Sequence, residues 1–171
     1  MNQLEKEIIS QNLIAFMKSD TELFDNTVSF VADWILTDAS EKHKAHYDIW
    51  DLVLKNYMPT SRPILYRSCK RRENNKISSF TGRIDCAQKF SAGENIFLLI
   101  CNTENSLMFP AVQKRGEYEH TFFPLAELIK KESQSPSCKF SDRLIDTSVK
   151  EDEYIMRVDL NWMYSCKWYQ K

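Results

Sequence analysis

Met58-Pro59-Thr60-Ser61-Arg62-Pro63-Ile64-Leu65-Tyr66-Arg67 divides the chain into two kinds of sequence. Before it, apolar residues recur at helical spacing. They are Leu4, Ile8, Leu13, Phe16 and Met17 within 3–18, Leu23, Val28, Val31 and Ile35 within 21–36, and Ala45, Ile49, Leu52 and Val53 within 41–57. Ser19-Asp20-Thr21-Glu22 and Asp38-Ala39-Ser40-Glu41 carry capping-box spacing at the two junctions, and Pro59 closes the third helix. After Pro63 the period becomes that of strands, predicted at 64–68, 76–81, 96–102, 107–112, 118–122, 143–146, 153–160 and 162–169. Short helices are predicted at 85–90 and 124–132. Helices first and strands after imply an α+β architecture, with an N-terminal helical segment, 1–58, packed on one side of the sheets of a core, 59–171, in one compact domain. The stretch 131–141, rich in Ser and Lys, reads as a mobile loop.

A chain of 171 residues with 43% hydrophobic and 12% aromatic content has the material for a proper core, which argues against disorder. Its net charge of −1 supplies no global basic field for non-specific nucleic-acid binding. No stretch approaches the roughly 18–20 apolar residues of a membrane span, and Met1-Asn2-Gln3-Leu4-Glu5-Lys6-Glu7 is too polar for a secretory signal, so the expectation is a cytoplasmic protein with no membrane partner. Five widely spaced cysteines without C-x-x-C read as free thiols and not as a zinc site. The three glycines, Gly82, Gly93 and Gly116, are not placed for a phosphate-cradling loop, so any phosphates must be held by side chains. His43 and His46 share a helix face but lack a third ligand; an exposed face is the reading, and no metal is expected. His120 is given no role.

Three short stretches carry chemistry: Leu65-Tyr66-Arg67, then Ser79-Phe80-Thr81 leading to Ala87 and Phe90, then Glu151-Asp152-Glu153-Tyr154. Each alone has an ordinary explanation. An arginine at a strand end commonly snorkels, and acids after Lys150 make a solvated turn. Ser78 to Thr81 fits a half-buried strand with Phe80 inward, and Phe90 fits a core. Their joint order and their expected places at strand ends, where side chains can converge on one cleft, lift the functional reading above these.

In that order the stretches resemble the arginine–serine–glutamate class of mono-ADP-ribosyltransferases, which includes clostridial toxins and phage enzymes that modify host proteins. In that family an aromatic-Arg pair, a Ser-Thr-Ser strand and a Glu-x-Glu turn line the NAD cleft. Phe90 follows Thr81 by nine residues (90 − 81), the family's spacing from its first Ser to its aromatic. Gly82 and Arg83 depart from the pattern, standing where the family has Thr and Ser, so the hydroxyl comes from Thr81 or from Ser79 or Ser78. The gap of twelve from Arg67 to Ser79 (79 − 67) is also short for the family. The resemblance spans 62–171 and implies a two-sheet β-sandwich core of ADP-ribosyltransferase type.

The resemblance also implies roles. NAD would be the co-substrate, with Tyr66, Arg67, Phe80, Thr81, Phe90 and Glu153 lining its site and no metal. Cleavage of the nicotinamide–ribose bond develops an oxocarbenium-like charge of the kind paired carboxylates stabilise. Glu153 would be the carboxylate at the ribose, oriented by Thr81 or Ser79, and Arg67 would grip pyrophosphate oxygens through its fork of donors. Tyr66 and Phe90 would pack on the nicotinamide ring. Glu151, expected on the same side of an extended segment as Glu153, would face the acceptor; in the family this goes with arginine. Thr147-Ser148-Val149-Lys150 corresponds to the acceptor-recognising turn and lacks its aromatic.

The acceptor implied is a macromolecule, a protein ahead of nucleic acid. Such an enzyme suits a phage modifier or an intracellular toxin, where an antitoxin or inhibitor would be a further partner. Lys70-Arg71-Arg72 close to Arg67 keeps nucleic acid open as the acceptor. A catalytically inactive relative that binds a partner through its helices is the reading from a different class.

Overall fold

The computed structural model describes residues 1–19, 21–38, 40–90, 96–104 and 121–168. Three helices come first, α1 (Gln3–Lys18), α2 (Asp25–Leu36) and α3 (Lys44–Asn56). They are followed by β1 (Ile64–Cys69), β2 (Ile77–Thr81), α4 (Ile84–Lys89), β3 (Ile96–Asn102), β4 (Phe122–Phe123), α5 (Leu125–Ser133), α6 (Asp142–Glu151), β5 (Glu153–Arg157) and β6 (Tyr164–Trp168). This is a mixed α/β fold with helices before strands, as the change of period at Pro59–Pro63 implies. Among the described residues no helix is long and apolar enough to cross a membrane.

Where two sheets were expected, the described strands form one antiparallel sheet in the order β4-β5-β2-β1-β3-β6. It is held unevenly. β1 and β3 are in register from Ile64 opposite Asn102 to Cys69 opposite Phe97, and β2 and β5 from Ile77 opposite Arg157 to Thr81 opposite Glu153. At the centre, β1 and β2 are in register at Tyr66 opposite Thr81 alone. The sheet is therefore two halves, β4-β5-β2 and β1-β3-β6, joined by one rung.

Because successive strand residues face opposite ways, the sheet feeds two cores. On one face Ile77, Phe123 and Ile155 pack with Ile9, Leu13, Phe30, Trp34, Trp50 and Val53 of the N-terminal helices. On the other, Leu65, Phe80, Leu99, Phe122, Tyr154 and Met156 cluster. The neighbours Phe122 and Phe123 divide between the two: Phe123 lies 5.5 Å from Trp50 and 4.9 Å from Tyr57, and Phe122 lies 5.7 Å from Tyr154, between ring centroids. An ion pair from Arg157 of β5 to Asp51 of α3 adds a polar tie between sheet and helices.

Several local expectations are corrected. α2 starts at Asp25 and not at 21, because the Asn12 amide donates to the Glu22 carbonyl and accepts from the Phe24 amide (both 2.9 Å), holding the chain extended up to the helix. α3 starts at Lys44, not at 41: the His43 amide donates to His46 Nδ1 (3.1 Å), so the two histidines cap the helix. The strand predicted at 143–146 lies inside α6, where the helical spacing of Leu144 and Ser148 brings both inward. The stretch 131–141 is pinned and not a free loop, since Lys131 Nζ donates to the carbonyls of Phe16 and Ser19, and Lys139 Nζ to that of Leu23 and to Asp25. The strand predicted at 107–112, part of that at 118–122, Gly93, Gly116 and His120 lie outside the described residues.

Trp50 is fully buried between the helices and Phe123. Trp50→Ala should cost about 3–5 kcal/mol of unfolding free energy in urea denaturation. A cost under about 1 kcal/mol would contradict its place at the centre of this core.

Candidate functional site

The site grows from the single rung. Thr81 pairs with Tyr66 on one side and Glu153 on the other, so these three residues form a row across β1, β2 and β5. Beyond the row β1 and β2 part, and the gap opens into two adjoining cavities. All eight residues singled out in the sequence, Tyr66, Arg67, Ser79, Phe80, Thr81, Phe90, Glu151 and Glu153, line one cavity of about 230 Å³. Ser68 and Ala87 complete its wall, with the Ser68 hydroxyl donating to the Ala87 carbonyl. The second cavity, about 430 Å³, shares Arg67, Ser68 and Phe90 and is bordered by Lys70, Arg71, Glu73 and Lys76.

Arg67 stands where the cavities meet and bridges the parted strands: Nη1 donates to the Ser79 carbonyl at 2.6 Å, supplying the bond a paired strand would give that oxygen. Burial pushes its pKa below the ordinary value, while nearby Glu73 and Glu153 act in the opposite direction. Arginine remains a cation at neutral pH all the same, and Arg67 lines both cavities. Tyr66 is half-buried in the wall, whereas Phe90 is 62% exposed and forms the rim, not core. Phe80 is buried in the cluster on the far face and contributes only part of its surface to the cavity.

Glu151 reaches the cavity by a different route from the one expected. It is not on an extended segment with Glu153 but ends α6, and Thr147 to Lys150 belong to the last part of that helix. Asp152 then turns the chain in the left-handed region (φ 47°) and Glu153 opens β5. Three carbonyls at the junction of α6 and β5 accept from the end of β2 and the residues that follow it. Thr81 Oγ1 donates to the Glu151 carbonyl (2.5 Å), Arg83 Nη1 to that of Lys150 (3.1 Å), and the Gly82 amide to that of Asp152 (3.1 Å). Gly82 and Arg83 thus have a local reason: the first passes close to Asp152, whose carboxylate lies 2.1 Å from where a Cβ would sit, and the second caps the helix.

Those bonds distinguish the Thr81 hydroxyl from that of Ser79. The Thr81 hydroxyl is engaged with Glu151 and with the Arg83 amide (3.0 Å), while the Ser79 hydroxyl faces the Glu153 carboxylate and favours its charged form. Glu153 itself is 7% exposed. Burial pushes its pKa above the ordinary carboxylate value, and neighbouring Glu151 pushes the same way, against Ser79, Lys42 and the Trp34 indole. Burial raises Glu151 as well, with Lys89 opposing. Sequence reasoning missed Trp34 of α2 and Lys42 of the α2–α3 connection, which act on Glu153 without lining the cavity. Among the described residues no group of three His, Cys, Asp or Glu is arranged to hold a metal ion.

No protein-family model, curated protein or solved structure matches this chain. What the site can do chemically is therefore argued from its own geometry.

A raised carboxyl pKa means that the folded chain holds the Glu153 proton more tightly than the unfolded chain does. Stability associated with this group is greatest at low pH and falls as pH rises from the unfolded value of about 4.3 through the folded value. Glu153→Gln should therefore raise the melting temperature at pH 7, and the gain should vanish below about pH 4, where both chains carry a neutral group. A variant less stable than the parent at pH 7 would contradict the placement of this carboxylate.

Proposed function

We propose that the protein is a mono-ADP-ribosyltransferase that breaks the nicotinamide–ribose bond of NAD and transfers ADP-ribose to a macromolecule, foremost an arginine of a protein. The observation that carries this reading is the convergence of all eight motif residues, from three strands and two helix ends, on one cavity. A further feature supports it. The two cavities differ in charge, with two carboxylates in one and Lys70, Arg71 and a Lys76–Glu73 ion pair in the other, and Arg67 between them.

That division suits a dinucleotide with a cationic ring at one end and a diphosphate in its middle. Tyr66 and the rim residue Phe90 offer flat apolar surface to the ring. Glu153, oriented by Ser79, stabilises positive charge developing at the ribose carbon as the ring departs. Arg67, with Lys70 and Arg71 beyond, meets the phosphate oxygens. Glu151 stands at the end of α6 beside this point. With its proton affinity raised by burial, it is suited to take a proton from an attacking guanidinium. Action in the cytoplasm as a phage modifier or intracellular toxin, with an antitoxin or inhibitor as partner, belongs to the same reading.

A second acceptor class is favoured by one observation: Lys70 and Arg71 border the larger cavity and could also position a nucleic-acid backbone. Incubation with labelled NAD and a bacterial lysate, followed by separate protease and nuclease digestion, tells the two apart. Label released by protease is the expected result; label released only by nuclease would move the acceptor to nucleic acid. Glu153→Gln should lower labelling on the order of 10²–10³-fold. Glu151→Gln should spare nicotinamide release while reducing transfer. Equal labelling by the parent and Glu153→Gln would rule out this assignment of the site.

A further inference from the structure

Resting on the reading of Glu151 as the group that faces the acceptor, we propose that Arg83 is a positioning residue. Aimed by Asp85, it caps the end of α6 and so fixes Glu151 for transfer, without acting on Glu153 or on the breaking of the nicotinamide–ribose bond.

Glu151 and Glu153 line one cavity but are held by different means. Glu153 opens β5 and pairs with Thr81 at the end of a ladder that starts at Ile77 opposite Arg157, so the sheet fixes its backbone. Glu151 is the last residue of α6, and Asp152, in the left-handed region (φ 47°), separates it from that ladder. The last carbonyls of a helix have no partner within it and need donors from elsewhere. Where Glu151 stands therefore depends on how the end of α6 is capped.

The donors at this junction differ in kind. Thr81, whose hydroxyl donates to the Glu151 carbonyl at 2.5 Å, also lines the cavity, and Gly82 offers only its backbone amide, to Asp152. Arg83 contributes a side chain that is absent from the cavity wall: Nη1 donates to the Lys150 carbonyl at 3.1 Å. Its Nε and Nη2 donate to the two carboxylate oxygens of Asp85, at 3.2 and 2.7 Å, so the guanidinium is aimed by a fork of parallel bonds. An ion pair as exposed as this one adds little stability, which leaves orientation as what Asp85 contributes. A cation held there also suits the negative end of the α6 dipole. The Cys86 thiol approaches the same Lys150 carbonyl at 3.5 Å, a longer and weaker contact.

The two carboxylates enter the reaction at different points. In transfer, a nitrogen of the acceptor guanidinium bonds to the ribose carbon as the bond to nicotinamide breaks. The electron pair of that bond leaves with nicotinamide, and the proton shed by the attacking nitrogen goes to Glu151. In hydrolysis, water takes the acceptor's place. A loosened helix end misplaces the base for a bulky acceptor, which depends on orientation more than water does.

The test compares the parent with Arg83→Ala, Arg83→Lys and Asp85→Ala, with circular dichroism to identify which variants are folded. Amide hydrogen exchange over 145–152 reads the helix end without reference to activity. It should quicken about fivefold in Arg83→Ala, the change expected of one net hydrogen bond, while exchange over 153–157 stays as in the parent. In reactions with labelled NAD and a bacterial lysate, the ratio of label incorporated to nicotinamide released should fall by about the same factor, with release itself unchanged. Asp85→Ala, which leaves Arg83 present but not aimed, should shift exchange and ratio in the same direction. Arg83→Lys, which keeps a cationic donor for the carbonyl, should recover part of both. Unmoved exchange at the helix end in the folded alanine variants, release that falls in step with incorporation, or Lys no better than Ala would overturn the proposal. No release by the parent protein would refute the transferase reading, while exchange over 145–152 would still decide whether Arg83 holds the end of α6.

Discussion

One rung in the middle of a sheet, Tyr66 opposite Thr81, is the constraint on which the rest of this structure depends. Antiparallel neighbours ordinarily exchange hydrogen bonds along their whole overlap, and strands that part must find other partners for the groups they free. Here Arg67 takes the Ser79 carbonyl, and the Ser68 hydroxyl is turned toward Ala87 of α4. Each half of the sheet is braced by a ladder on its outer side, β1 by β3 and β2 by β5. The opening can therefore persist between two firmly paired halves, lined by strand residues and by Lys70, Arg71 and Glu73 of the connection between β1 and β2.

The second determinant is the junction of α6 with β5. Asp152 adopts a left-handed conformation that aspartate tolerates better than most residues. The turn after β2 then gathers the carbonyls of Lys150, Glu151 and Asp152 through an arginine, a hydroxyl and a backbone amide. This places two carboxylates on one cavity although one ends a helix and the other begins a strand. Glu153 is held in an environment that raises its proton affinity, a feature that costs stability at neutral pH and is characteristic of sites arranged for chemistry.

The architecture was legible where one period dominated. The helices at 3–18 and the strands near 64–69, 77–81 and 96–102 follow directly from apolar spacing. It was illegible where a tertiary bond overrode local preference. Asn12 delays the start of α2, and the short run at 143–146 fits either period until Ser148, a turn later, turns inward beside Leu144. The candidate site was legible as a set of residues but not as geometry. The choice between Ser79 and Thr81 depends on a bond from Thr81 to a carbonyl 70 residues away, and Glu151 points into the cavity through a helix end that its own neighbours do not announce. Trp34 of α2 and Lys42 of the α2–α3 connection had no signal at all, since nothing near either indicates which face of the sheet will lie beneath it.

The most direct test of the account is a crystal structure of the Glu153→Gln protein with NAD, a substitution that removes the carboxylate charge with little change of shape. The account predicts the nicotinamide between Tyr66 and Phe90, its ribose beside residue 153, and the diphosphate at Arg67 reaching toward Lys70 and Arg71. NAD bound away from the gap between β1 and β2, or no NAD bound at saturating concentration, would contradict it.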